Sequence, residues 1–237
     1  MKRFFVICVL AGLVAAGTAY AADPELKTDD DKTFYALGLV LANQLAPFKM
    51  TPAELALVEA GLSDGALKKP PKVEVETFGP KIKPLADARL AAGTADEKKK
   101  GKAYLETIAA KPGIKKTGSG LLMETVTEGT GKSPVPNDKV KVNYKGTLID
   151  GKVFDDSAKH GGAYQVTVAG QPPIIKCWNE ALEFMKVGGK AKLYCPAELA
   201  YGDRPNGEIP AGATLVFDVE LLEIVKPEPE PAPAPAK

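Results

Sequence analysis

The stretch "VKVNYKGTLIDGKVFDDS", residues 140–157, decides the fold of the larger part of this chain. Val140, Val142 and Tyr144 alternate with Lys141, Asn143 and Lys145, the period-two pattern of a strand with one buried and one wet face. Asp150-Gly151 is a dipeptide that favours a two-residue hairpin turn, so the chain is expected to fold back there. Downstream, "AYQVTVAG" (163–170) and "GKAKLYC" (189–195) read as short strands, and "ATLVFDVELLEIV" (213–225) as a long closing one. Only "KCWNEALEFMKVGG" (176–189) reads as a helix in this region, stopped by Gly188-Gly189. Antiparallel strands with one short helix to cover make an α+β domain.

Upstream, from Ala22 to about Lys111, the pattern is helical. Asp29 to Asp31 place negative charge at a helix start. Phe34, Leu37, Leu41 and Leu45 then form an amphipathic stripe, widened by Val40 and Phe48. A second helix opens with "TPAE": Thr51 suits the N-cap, Pro52 the first helical position and Glu54 the reciprocal capping position. It should run to about Leu67. In the third segment Val75, Phe78, Ile82 and Leu85 keep helical spacing, but Gly79, Pro80 and Pro84 interrupt it. An interior proline costs a helix about 3 kcal/mol, so the helix either kinks there or starts near Pro84. From Leu85 to Ala110 the chain, with "DEKKKGKAYLETIAAK", reads as a long, solvated, mostly helical arm, with Lys98 to Lys100 on a wet face. Helices this thin in core suggest packing on another body, most economically a second copy of the chain. Gly38 between leucines would let two helices approach closely.

The two ends differ from everything between them. Lys2 and Arg3, the apolar run Phe4 to Ala16, and Ala19 and Ala21 have the layout of a cleavable signal peptide. That run is short for a membrane anchor. Cleavage before Ala22 would change the net charge from +1 to −1 through loss of Lys2 and Arg3, and so neutral a chain gives no support for nucleic-acid binding. It would leave two cysteines, Cys177 and Cys195. No later segment is apolar enough to cross a bilayer. The tail "KPEPEPAPAPAK" (226–237) alternates proline with charged or small residues and should form an extended spacer.

Several apparent motifs carry no chemistry. "EGTGKSP" (128–134) lacks the first glycine of a phosphate-binding loop, Val126 standing there, and Pro134 would break the helix that must follow. His160 is the only histidine, which excludes a histidine-rich metal site, and its polar, glycine-rich surroundings read as a solvated loop. Asp155 and Asp156 would point to opposite faces of a strand and make a poor acid–base pair. No metal or cofactor is expected. What remains is a concentration of aromatic residues in the strand region: Tyr144, Phe154, Tyr164, Trp178, Tyr201 and Phe217.

The blocks "VKVNYKGTLIDGKVFDDS", "IIKCWNEALEFMKVGGKAKLYCPAELAYGD" and "IPAGATLVFDVELLEI" resemble the FKBP family of peptidyl-prolyl cis–trans isomerases over roughly residues 118–226. The helical part, with "YALGLVLANQL" and "GKAYLETIAAKPGIKKTGSGL", resembles the N-terminal dimerisation region of Mip-type bacterial FKBPs. The resemblance implies a C-terminal antiparallel half-barrel sheet wrapped around one short helix, preceded by an all-α dimerisation region with a long connecting helix. The implied layout is a signal peptide (1–21), a helical dimerisation domain (22–70), a connecting arm (71–116), the isomerase domain (117–226) and the tail (227–237).

By resemblance, Tyr144, Phe154, Ile174, Ile175, Trp178, Tyr201 and Phe217 line a proline pocket with Trp178 as its floor, and Asp155 is the carboxylate beside it. Tyr164 stands where the family often has phenylalanine, and Ile209 matches a hydrophobic loop residue. His160 takes a position usually held by a basic residue, and Cys177 replaces the glycine that commonly precedes the tryptophan. The implied function is prolyl isomerisation in exported proteins by a dimeric folding factor, periplasmic or secreted, with association at the outer surface as a further alternative. Proline-containing unfolded or partly folded chains would be its partners, and macrolides of the FK506 and rapamycin type its inhibitors. A chaperone that grips proline segments with little catalysis is the alternative. Thiol redox chemistry is disfavoured because Cys177 and Cys195 form no C-x-x-C pair. Two alternatives remain for them: a structural disulfide from the helix start to the following strand, or two buried thiols.

Overall fold

The molecule, represented by a computed structural model, is described for residues 24–171 and 173–225. The expected signal peptide and the proline-rich tail lie outside the described residues. Helix α1 spans Asp29–Leu45. It starts where it does because Thr28 caps it: the Thr28 hydroxyl accepts from the Asp31 amide, and the Asp31 carboxylate accepts from the Thr28 amide. None of its residues is buried, and Phe34, on the apolar stripe, is 73% exposed.

Helix α2 spans Pro52–Ala66 and opens on the capping box expected from "TPAE". Glu54 does more than cap. Its carboxylate also receives both terminal nitrogens of Arg89, which further donates to the Phe48 carbonyl (2.9 Å). Hydrogen bonding from Arg89, then from Thr51, holds the Glu54 carboxyl down at about 2. Helix α3 is a single turn, Val75–Phe78, followed by a 3₁₀ turn over Gly79–Lys81 and then by α4, Ile82–Ala109. The two prolines are absorbed without a mid-helix kink. Pro80 lies in the 3₁₀ turn, and Pro84 falls in the first turn of α4, where its missing N–H removes no intrahelical bond.

The C-terminal half of α4 is not the solvated arm its charges suggest. Thr94, Gly101 and Ile108 are its buried residues, seven apart and therefore on one face. Gly101 sits so close to Thr214 that an added Cβ would lie 2.2 Å from its Oγ1. Gly212 sits equally tight under Thr94, where a Cβ would lie 2.7 Å from the Thr94 carbonyl oxygen. Ile108 joins a small apolar cluster with Leu122, Tyr194 and Val216. Lys98, expected on a wet face, reaches Asp203 (2.5 Å) and Glu198 (3.8 Å).

Seven strands follow: β1 (Ile114–Lys116), β2 (Leu122–Thr127), β3 (Lys139–Leu148), β4 (Val153–Asp156), β5 (Tyr164–Thr167), β6 (Lys190–Cys195) and β7 (Leu215–Val225). All pairings are antiparallel, in the order β1-β2-β6-β7-β3-β4, with β5 also on β3. The β3–β4 connection differs from the expected two-residue turn. Leu148 accepts from the Gly151 amide (3.0 Å) and donates to Lys152 (2.9 Å), so Ile149, Asp150 and Gly151 form a three-residue loop. Gly151 carries the positive φ, 88°, that such a loop places at its third residue.

Helix α5, Lys176–Phe184, lies against the sheet and buries Cys177, Trp178, Ala181 and Leu182. They meet Val140 and Val142 of β3, Leu193 of β6, and Leu215, Phe217, Val219 and Leu221 of β7 in one core. The outward residues of the same strands pair by charge, Lys192 with Asp218 and Lys190 with Glu220. Cys177 and Cys195 are joined in a disulfide, Cα atoms 5.8 Å apart, tying the first turn of α5 to the end of β6.

Candidate active site

The aromatic residues of the strand region converge on one cavity of about 260 Å³. Tyr144 comes from β3, Phe154 and Asp155 from β4, Tyr164 from β5 and Phe217 from β7. Ile174 and Ile175 precede α5, Trp178 lies in its first turn, and Tyr201 arrives on the loop after β6. Pro173 also lines the cavity, a residue the sequence reading passed over. Ile209 does not line it: the structure places Ile209 in the core beneath the loop, where a bridge to Asn206 closes a tight turn.

Trp178 is only 5% exposed and is fixed by two edge contacts, Tyr144 at 5.0 Å and 81°, and Phe217 at 5.4 Å and 83° between ring planes. Phe154 stands perpendicular to Phe217 in turn (5.6 Å, 88°), and Tyr164 to Tyr144 at 69°. Edge-to-face pairs of this kind are worth about 0.5–1.5 kcal/mol each beyond area burial, and they hold the bowl rigid. Gly146, directly across from Asp155 and Phe217 in the sheet, makes room for it. A Cβ there would lie 2.6 Å from the Phe154 ring. No sequence pattern in this chain marks Gly146, because the demand comes from a neighbour on another strand.

The polar side of the cavity is a single carboxylate with both oxygens occupied. Tyr144 Oη donates to Asp155 Oδ2 (2.7 Å), and the Asp156 amide donates to Asp155 Oδ1 (2.8 Å). His160 Nε2 lies 2.9 Å from the same Oδ1, so the solvated loop histidine also reaches the site carboxylate. Burial pushes the Asp155 carboxyl up, but the bonds from Tyr144, His160 and the Asp156 amide outweigh it and hold the group below its ordinary range. Tyr144 moves the other way: burial first, then the hydrogen bond to Asp155 and its charge, raises its phenol well above the usual value. One group therefore stays ionised and its partner protonated, which suits fixed orientation and not proton transfer.

Among the described residues no cluster of His, Cys, Asp and Glu side chains is placed to hold a metal ion. A larger groove of about 480 Å³ opens between α4 and the 196–214 segment, but its walls, Lys98, Leu105 and Pro196 among them, include no aromatic ring.

The site is a rigid aromatic bowl with one fixed carboxylate, on an antiparallel sheet packed around a short helix. Residues 130–222 match the family model of the FKBP-type peptidyl-prolyl cis-trans isomerase, and residues 30–124 that of the domain amino terminal to it. The FKBP-type peptidyl-prolyl cis–trans isomerase FkpA of Escherichia coli is 38% identical over 96% of this chain and 93% of its own length. The peptidyl-prolyl cis–trans isomerase Mip of Coxiella burnetii is 33% identical over 95% of this chain and 100% of its own. Among solved structures, the crystal structure of FkpA from Escherichia coli aligns with a TM-score of 0.63 over 84% of this chain and 98% of that one. The chain belongs to the FKBP-type peptidyl-prolyl cis–trans isomerases, enzymes that accelerate rotation about the bond preceding proline.

Proposed function

We propose that the cavity bounded by Trp178, Phe217, Phe154 and Tyr144 holds the proline ring of unfolded or partly folded exported polypeptides, and that two copies of the chain act together on such clients. The reaction breaks no covalent bond. A prolyl amide rotates through a twisted state against a barrier of about 20 kcal/mol. In the twisted state C–N resonance is lost and the carbonyl oxygen carries less charge. Water favours the planar, more polar form, so an apolar bowl that excludes water from the amide favours the twisted one. Tyr201, at the cavity edge, is suited to donate a hydrogen bond to a substrate carbonyl. Asp155 fixes Tyr144 and orients the carbonyl dipole without acting as a base.

The observation that carries this reading is the interlocked set of rings around Trp178, since a bowl built of perpendicular aromatics presents apolar walls to a flat five-membered ring. The same shape would accept FK506-type macrolides as inhibitors. Dimerisation is supported by α1 and α2, neither of which has any buried residue although both carry apolar ones: Leu37 and Val40 on α1, Leu57 and Leu62 on α2. A second copy is the economical cover, and two pockets on one assembly raise the effective concentration of a bound client. Export to the periplasm or beyond is supported by the signal-like N-terminus and by the disulfide. The Legionella longbeachae relative, 33% identical, is described as outer membrane protein MIP. No helix among the described residues is long and apolar enough to cross a membrane.

The test is isomerisation of an Ala-Pro tetrapeptide by the mature protein, titrated with FK506. Stoichiometric loss of turnover on adding the macrolide is expected. Turnover that persists at saturating macrolide would remove the aromatic cavity as the proline site.

A further inference from the structure

Asp155 is the only charged residue lining the aromatic cavity, and His160 is the only histidine in the chain; the fold brings the two to 2.9 Å. Local structure enforces the meeting. The Asp156 side chain accepts from the Ala158 amide (2.9 Å) and starts a 3₁₀ turn over Ser157–His160. Gly161, with φ 91°, ends the turn directly after the histidine. The Ser157 hydroxyl accepts from the Tyr144 amide (3.0 Å), which anchors the turn to β3. His160 is thus held by a built corner, with its ring largely exposed to solvent and its Nε2 on the site carboxylate.

We propose that His160 is a specificity-determining residue for the isomerase: its protonation switches the charge at the cavity edge and with it the preference among residues flanking the substrate proline. This rests on the cavity being the proline site. Histidine is the side chain whose charge changes between about pH 5 and 8. When His160 is protonated, imidazolium and carboxylate cancel, and the edge of the cavity is neutral. When it is neutral, the Asp155 charge stands alone beside the bound peptide. The edge therefore becomes more negative as pH rises, favouring Lys-Pro or Arg-Pro sequences and disfavouring Glu-Pro ones.

The surrounding groups leave this switch to His160 alone. The turn packs on β3 and β4, which bring Tyr144 and Lys145 from one, Asp155 and Asp156 from the other; Lys159 lies on the turn itself. Tyr144 is held protonated by burial and by Asp155. Lysine and aspartate as classes keep their charge between about pH 5.5 and 8. Asp155 itself remains ionised through its three hydrogen bonds. A charge appearing roughly 7 Å from a substrate charge in a wet edge changes binding about threefold in each direction, and salt at ~0.1 M screens it over ~10 Å.

The experiment measures kcat/KM for otherwise identical Lys-Pro, Ala-Pro and Glu-Pro peptides from pH 5.5 to 8 at low ionic strength. Untagged wild-type protein is compared with His160→Arg and His160→Gln. In the wild type the Lys-Pro to Glu-Pro ratio should rise severalfold along one sigmoid. His160→Arg should stay at the low-pH ratio and His160→Gln at the high-pH ratio across the range, each normalised to its own Ala-Pro turnover. A second readout does not depend on turnover. The ring C2 proton of the sole histidine should titrate at higher pH with a Lys-free Glu-Pro peptide bound and at lower pH with a Lys-Pro peptide bound, by linkage. A flat wild-type ratio, or a pH shift in the ratio that survives in His160→Gln, overturns the proposal. Failure of Ala-Pro peptide to compete with FK506 would instead fault the cavity reading on which it rests, and the unmoved histidine titration would then count against the switch as well.

Discussion

Helices α1 and α2 and the strand region of the same chain both carry amphipathic patterns, yet only one of them buries its apolar face. In the strand region Val140, Val142, Leu215 and Leu221 are fully enclosed around α5. In α2, Leu57 is 74% exposed, and no residue of either helix is buried. Apolar periodicity states that a face must be covered; it does not state by what. A sheet supplies its own cover through β3, β6 and β7, while α1 and α2 carry apolar faces for which we propose a second copy as cover. Helix α4 divides between the two cases, with solvated turns at its start and the Thr94, Gly101 and Ile108 face docked on the isomerase at its end.

The contrast breaks most sharply at α1. Leu37→Glu with Val40→Glu would place two charges in the face proposed to join two copies. The expected result is association weakened on the order of a hundredfold or more, a shift toward monomer read by sedimentation velocity. Turnover of a short prolyl peptide should remain within about twofold, and rescue of a slow-folding protein client should fall. Dimer that survives the double substitution would mean that another face covers these helices.

On the other side of the comparison, the self-covered region should lose stability without changing its assembly. Cys177→Ala with Cys195→Ala removes a crosslink over a sequence separation of 18, worth about 3 kcal/mol in loop entropy. Urea denaturation should report that loss, and addition of reductant should produce a similar loss only in the wild type. A smaller effect is expected where α4 meets the isomerase. Gly101→Val drives a branched side chain into Thr214 and should cost about 1–3 kcal/mol. Lys98→Met breaks the pairs to Asp203 and Glu198, both solvent-accessible, and should leave the urea midpoint nearly unchanged. If Gly101→Val is neutral, the end of α4 belongs with the unpartnered helices after all.

These sites also mark what sequence could and could not convey. The β3 alternation, the closing strand, α5 and the capping box of α2 were legible because each is a local pattern with a local cause. Most of the cavity was legible through the spaced aromatic blocks. The docking of α4 was not, because two of its three buried residues are threonine and glycine, chosen for close approach and not for apolarity. Gly146 and Pro173 stayed silent for a related reason: their roles depend on the Phe154 ring and on the cavity wall, which only the assembled sheet defines. The short strands β1 and β2 lack a clean alternation, and the three-residue loop at Asp150-Gly151 is set by the register shift in the β3–β4 pair. Ile209, apolar and on the expected loop, lies buried in the same core cluster as Trp178 and Phe217.

The central claim is that rotation is accelerated by an apolar, rigid bowl and not by a proton-transferring carboxylate. Its most direct test compares Phe154→Ala with Asp155→Asn for isomerisation of one Ala-Pro peptide at fixed pH, after confirming that both variants fold. Phe154→Ala should lower kcat/KM by roughly tenfold or more through lost packing, and Asp155→Asn by less than that. A loss of several orders of magnitude in Asp155→Asn, with Phe154→Ala near wild type, would contradict the account.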